Sequence, residues 1–178
     1  MPRPASQQEF AAAYDDHVWD VYGFFGYRVR SREQAEDLTQ LTFERALKAW
    51  GRYDPSRASV ATWLLAIARN LLIDHFRAGH GDREQPLEGL EADSPALRMD
   101  PERPGLGIEA DLERALATLS DRERELVALR FGADMTGPEI AQMTGLSLAN
   151  VQQILSRSLR RMRAQLEPAS DARLDEGP

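Results

Sequence analysis

The 178-residue chain is 42% hydrophobic and 29% charged, with a net charge of −7. This is a globular composition with room for one ordinary domain or two small ones, and it excludes a wholly disordered chain. The absence of cysteine excludes disulfides and thiolate metal sites, and no stretch approaches the ~20 apolar residues that a membrane span requires.

Met1-Pro2-Arg3-Pro4 runs into polar residues without an apolar signal core, so a cytoplasmic protein is expected, with no direct membrane insertion. The charge is uneven. Residues 1–80 are neutral, 81–111 carry −6, 112–166 carry +2 and 167–178 carry −3. Local charge sets the field, so an acidic whole does not exclude nucleic-acid binding.

Residues 8–28 read as a helix, with Phe10, Tyr14, Val18, Val21, Tyr22 and Phe25 at spacings of three and four. A second helix follows, introduced by Ser31 and Gln34 as an S-x-x-Q capping box. At about 100° per residue, Ala35, Leu38, Thr42, Ala46 and Ala49 share one face, widened by Phe43, Leu47 and Trp50. Opposite lies a narrow acidic and amide stripe of Glu33, Asp37, Gln40 and Glu44, with Glu36 at its edge. Such a stripe is ordinarily a solvated surface. Tyr53 to Ala58 is turn-forming, and a third helix spans about 59–78. Its apolar residues are Val60, Trp63, Leu64, Ile67, Leu71 and Phe76, and its polar ones Arg69, Asn70, Asp74 and Arg77. Trp63, between apolar neighbours, reads as core.

From 79 to 107 Gly, Pro, Asp and Glu dominate, with four prolines and no helical period, which predicts a flexible acidic linker. A second helical unit covers 108–166. Leu112, Leu116 and Leu119 supply an apolar face; Ser120 to Glu123 and Thr136 to Glu139 are further capping boxes; Gly132 to Met135 is a turn. A short helix from Pro138 ends at Gly145, a left-handed terminator, and Ser147 caps a last helix that runs to Leu166. Two short helices about a glycine turn, with Ile140, Ala141, Leu146, Val151 and Ile154 inward, predict a helix-turn-helix. The second helix presents Ala149, Asn150, Gln152 and Gln153, amide groups that suit adenine edges in a major groove. Arg157, Arg160, Arg161 and Arg163 follow without an acidic residue between Ser147 and Leu166, which suits phosphate. Residues 167–178 read as a disordered tail, and no strand is expected.

Three stretches in this order resemble the extracytoplasmic-function sigma factors, the smallest class of the sigma-70 family of bacterial RNA polymerase subunits: Ala35-Glu36-Asp37-Leu38-Thr39-Gln40 with Phe43; Trp63 to Asn70 with Asp74 and Arg77; and Glu139-Ile140-Ala141, Gly145-Leu146-Ser147 and Val151. The resemblance implies an all-α fold, with a region 2 helical bundle (8–78), a spacer (79–107) and a region 4 helix-turn-helix (108–166). It implies that Glu36, Asp37, Gln40 and Glu44 dock on the clamp helices of the polymerase β′ subunit, with β as a further contact. Tyr53, Arg57, Arg69, Asn70 and Arg77 fall where the family opens and reads the −10 element. Ser147, Ala149, Asn150, Gln152, Gln153, Arg157, Arg160 and Arg161 fall where it reads the −35 element of promoter DNA. An anti-sigma factor is the implied inhibitor, and no cofactor or metal is implied.

The chain departs from the family pattern at Leu119-Ser120, where Leu-Pro is common, and at Ala149-Asn150-Val151-Gln152, where Gly-Thr-Val and a basic residue are usual. Ala66 is small where some members carry a basic residue, and no sensor domain is expected beyond region 4. Three other readings exist, and one of them, a sigma-like protein that binds polymerase but has lost promoter melting, is disfavoured by the intact Trp63 to Arg77 stretch. Catalysis is disfavoured because His17, Asp74-His75 and His80 match no ligand spacing and no Gly-rich phosphate loop occurs. A helix-turn-helix regulator would need a resident sigma factor, and it leaves the stripe and the third helix without a role.

Overall fold

The computed structural model describes residues 7–29, 31–79 and 110–166, and among them every regular element is helical. In chain order these are α1 (Gln7–Gly26), α2 (Arg32–Ala49), a 3₁₀ turn (Trp50–Arg52), α3 (Val60–Gly79), α4 (Ala110–Ala117), α5 (Asp121–Val127), a π-helical turn (Ala128–Gly132), α6 (Gly137–Thr144) and α7 (Leu148–Leu166). The linker and tail read from the sequence lie outside the described residues, apart from Gly79 at the end of α3. No helix among the described residues is long and apolar enough to cross a membrane.

The helices begin where their caps place them. Ser31 Oγ accepts from Gln34 N at 3.1 Å, Ser59 Oγ from Thr62 N at 3.2 Å, and Ser147 Oγ from Asn150 N at 3.2 Å. The box at Ser120 is complete: its N–H donates to Glu123 Oε2 (2.8 Å) and its Oγ accepts from Glu123 N (3.3 Å). The Glu139 carboxylate accepts from both Thr136 N (2.8 Å) and Thr136 Oγ1 (2.6 Å). Gly145 closes α6 at φ +72°, a left-handed conformation that favours glycine.

The helices α1, α2 and α3 pack mutually around Val21, Phe24, Phe25, Ala35, Leu38, Phe43, Ala46, Leu64, Leu65, Ala68, Leu71 and Leu72. Two buried threonines complete this face of α2: Thr39 and Thr42 each donate Oγ1 to the carbonyl four residues back, at 2.6 and 2.7 Å, so neither hydroxyl is stranded. The sequence places Leu47 on the apolar face, but its side chain is 53% exposed. Leu47 lies at the rim of the α1–α2 contact, where it lines a surface groove together with Phe10 and Tyr14 of α1. Trp50 is buried; its ring stacks on Tyr53 at 5.3 Å and meets Trp63 at 5.8 Å.

The second group is α4 to α7. Here α4 and α5 pack on α7 around Ala115, Leu116, Leu119, Val127 and Met162, while α6 and α7 close over Ile140 and Val151. The two groups do not stand apart. Leu126, Ala128, Leu129, Ala133, Met135, Ile140 and Val151 belong to the same continuous apolar cluster as Phe24 and Phe25.

Candidate polymerase and nucleic-acid interfaces

On α2 the whole stripe faces outward: Glu33, Glu36, Asp37, Gln40 and Glu44 are all exposed. Gln40 Nε2 donates to Glu44 Oε1 at 3.0 Å, and Arg32 Nε pairs with Glu36 Oε1 at 2.7 Å, which raises the Arg32 pKa through that hydrogen bond. These are i,i+4 pairs on a wet surface, where solvent screens them, so they hold the carboxylates in a row without withdrawing them from a partner. Beside the row the groove between α1 and α2 is lined by Tyr14, Trp19, Tyr22, Phe43 and Leu47 together with Glu36, Gln40 and Glu44. Trp19 is 74% exposed and meets Tyr22 edge-on at 5.8 Å. Hydrophobic periodicity along α1 does not single out Trp19, because it points away from the core. The signal that finds it is the opposite one, a large aromatic on a polar face.

The loop before α3 is internally fixed. Asp54 accepts from Ser56 N (2.9 Å) and Ser56 Oγ (2.7 Å), and the Ser56 hydroxyl and amide hold its carboxyl below the ordinary value. Tyr53 donates its hydroxyl to Ala58 O at 2.9 Å, and its ring lies against Trp50 and Trp63. Burial, chiefly, and the Asp54 charge raise its pKa. Tyr53 thus shapes the loop, and Trp63 is part of its support, as its apolar neighbours foretell. Arg57, Asn70 and Arg77 are exposed. Arg69 is not with them: its Nε meets Glu125 Oε1 of α5 at 2.5 Å, both side chains being largely covered. The partner lies 56 residues away in sequence, beyond any local pattern.

In the helix-turn-helix, Ala149, Asn150, Gln152, Gln153, Arg157 and Arg160 form one exposed surface of α7, and Val151 on the opposite side is wholly buried. Ser147 is exposed, but its oxygen is committed to the α7 cap. Arg161 turns towards α5, where it meets Glu123 Oε2 at 2.8 Å. Burial opposes ionisation of Glu123, yet bonds from Ser120 and the Arg161 guanidinium outweigh it and lower the pKa. Arg161 thereby ties α7 to α5 inside this group of helices. Three faces result: an acidic and aromatic one on α1 and α2, a polar one around the loop and α3, and an amide-arginine one on α7.

Two family matches coincide with these groups of helices: Sigma-70 region 2 over residues 13–80, and Sigma-70, region 4 over residues 115–164. The chain is 34% identical over 161 residues to the ECF RNA polymerase sigma factor RpoE of Cereibacter sphaeroides, covering 86% of this chain and 84% of the relative. It is 33% identical over 166 residues to the ECF sigma factor BldN of Streptomyces coelicolor, covering 92% of this chain but 62% of BldN. It is 28% identical to SigX of Bacillus subtilis, covering 96% and 90%. In fold it is similar to the sigma factor RpoE of Bartonella quintana, solved with the anti-sigma factor NepR (TM-score 0.63, 21% identity, 90% of this chain and 95% of that one). It is also similar to CnrH, solved with the cytosolic domain of CnrY (TM-score 0.58, 22% identity, 90% and 89%). With both regions matched in order along one chain of helices, the protein belongs to the extracytoplasmic-function sigma factors of the sigma-70 family.

Proposed function

We propose that this chain is the promoter-specificity subunit of a bacterial RNA polymerase, docking on core enzyme through α1 and α2, reading the −10 element with α3 and its preceding loop, and reading the −35 element with α7. The observation that carries the assignment of faces is the row Glu36, Asp37, Gln40 and Glu44, held exposed beside an aromatic groove on a body whose far helix carries the exposed Arg157 and Arg160. Carboxylates in a row suit arginines on a partner helix, and Trp19 supplies the aromatic anchor that charge alone lacks. Arg57, Asn70 and Arg77 supply phosphate and base-edge donors at α3, while Asn150, Gln152, Gln153, Arg157 and Arg160 supply them at α7. Residue by residue, Tyr53, Ser147 and Arg161 act in this reading as supports for those surfaces.

The phosphodiester chemistry belongs to the polymerase, and this chain contributes no catalytic group. An anti-sigma factor is its proposed inhibitor, a reading supported by the similar fold of a sigma factor solved with the anti-sigma factor NepR. Run-off transcription with purified core enzyme on a library of promoters tests the assignment. A transcript from a defined subset of promoters, dependent on the chain, is expected; stable binding to core without any promoter-specific transcript overturns it.

A further inference from the structure

The exposed surface of α7 is divided along its length. At about 100° per residue, Ala149, Gln153 and Arg160 point directly away from the buried Val151, Ser158 and Met162. Asn150 and Arg157 lie on one flank of that line, and Gln152 and Arg163 on the other, all of them exposed. On each line an amide comes first and an arginine follows. The offset is about 10 Å from Gln153 to Arg160 and from Asn150 to Arg157, and about 16 Å from Gln152 to Arg163, at 1.5 Å of rise per residue. The first two turns, residues 148–154, carry no charged side chain. Ser147 Oγ is spent on the backbone N–H of Asn150. Among the described residues the side-chain amides of Asn150, Gln152 and Gln153 have no hydrogen-bond partner. Leu148, 39% exposed, stands beside Ala149 at the start of the helix.

We infer that α7 selects A·T base pairs in the major groove, and that Gln153 sets the base at the centre of its footprint. The inference rests on the reading of α7 as the −35 helix. In the major groove guanine presents two acceptors, which arginine or lysine satisfies, and cytosine presents a donor, which a carboxylate accepts. Adenine presents one acceptor, N7, and one donor, N6, and a single side-chain amide matches both. The first two turns of α7 hold three amides and neither a cation nor a carboxylate, so a paired contact there favours adenine. Recognition helices meet base edges through their N-terminal residues, which places these two turns at the bases. The apolar side chains of Leu148 and Ala149 suit the thymine C5-methyl group, which cytosine lacks. The arginines begin about 10 Å further along, close to the ~12 Å width of the groove. At that depth the helix has passed the base edges and its cations meet phosphates, which supply affinity without sequence information. No acidic residue between Ser147 and Leu166 opposes them. Selectivity and affinity are thus carried by successive turns of one helix.

The test uses holoenzyme assembled from the full chain and purified core polymerase, on barcoded promoter templates whose −35 segment is randomised and whose −10 element is fixed. Run-off transcripts made at limiting holoenzyme are sequenced to recover the −35 segments selected. The parent is expected to enrich adenine over guanine by about tenfold at adjacent positions of one strand, within the discrimination a paired contact supplies. Gln153→Arg moves the preference at one of those positions from adenine to guanine and leaves the others. Gln153→Ala flattens the same position alone, and it decides if Gln153→Arg gives no transcript. Arg160→Gln lowers the yield from every template by a similar factor and leaves the preferred bases unchanged, as loss of a phosphate contact requires. Enrichment of G·C pairs by the parent, Gln153 variants that alter no position, or a changed base preference in Arg160→Gln would each overturn the inference while the −35 reading stands. Promoter-specific transcription that ignores the randomised segment overturns the −35 reading of α7 and the inference with it. Absence of a promoter-specific transcript from every protein overturns the initiation-factor reading itself.

Discussion

Ser158 on α7 is wholly buried, and its hydroxyl has no hydrogen-bond partner among the described residues. A stranded buried hydroxyl costs about 1–3 kcal/mol, and alanine is the better helix former. Ser158→Ala is therefore expected to raise stability by about 1 kcal/mol, seen as a higher urea midpoint at unchanged slope. A lower midpoint would mean that the hydroxyl has a partner in solution. Trp19 presents the reverse case, a side chain that the fold hardly uses. Trp19→Ala is expected to weaken binding to core polymerase by about tenfold, ~1.4 kcal/mol, with the melting temperature little changed, because the indole is 74% exposed. Asp37→Arg with Gln40→Ala, on the neighbouring exposed row, is expected to do the same by charge reversal. Unaltered affinity in a direct binding titration would place the docking face elsewhere.

The elements start and stop where short-range chemistry places them, and this part of the architecture is legible in the sequence. Serines at 31, 59, 120 and 147 bond the amide three residues on, and Gly145 turns left-handed where the pattern of α6 stops. The Glu139 cap also gives a pH prediction. The Thr136 hydroxyl and amide hold its carboxyl below the ordinary value of 4.5. A depressed folded-state pKa contributes stability that is complete above the unfolded value and is lost as pH falls through the folded one. Glu139→Gln keeps an acceptor oxygen at this position but loses the charge, and is thus expected to be less stable than the parent at pH 7 by about 0.3–1 kcal/mol, the worth of a carboxylate in a first helical turn. The difference should shrink below pH 4.5 as the parent loses its carboxylate, and parallel melting curves from pH 7 to 3 measure it; a constant difference would assign the effect to shape alone. Other features are not legible because their causes are distant. The π-helical turn at Ala128–Gly132 exists where Gly132 must meet Gly23. Arg69 reads as a phosphate ligand until Glu125 arrives from 56 residues away. Leu47 shares the helical phase of core residues, yet it sits at the rim of the α1–α2 contact and stays half exposed.

At the scale of the whole molecule, the apolar cluster is continuous from α1 through α3 into the segment around Leu126, Leu129 and Ile140. Phe24 and Phe25 are completely buried within it. A chain whose halves share a core should unfold as one unit, although family organisation would suggest two. The positions of its tryptophans make this directly measurable. All three, Trp19, Trp50 and Trp63, lie in the region 2 half, so their fluorescence reports on that half alone, whereas far-UV circular dichroism reports on helices of both. For the parent chain the two probes are expected to give coincident urea transitions, the standard sign of all-or-none unfolding. Gly132→Ala should separate them, because a methyl group where Gly132 meets Gly23 uncouples the halves while leaving α2, α3, α6 and α7 their own contacts. The direction of the separation is informative. Fluorescence shifting to lower urea while part of the dichroism persists means that region 2 depends on region 4 for its stability, through Phe24 and Phe25. The opposite order means that α5 and the π-helical turn are the dependent party. Coincident curves in the variant, at a lower common midpoint, would show that the shared core withstands a breach of its glycine contact, and would locate the coupling in the apolar cluster instead of the glycine pair.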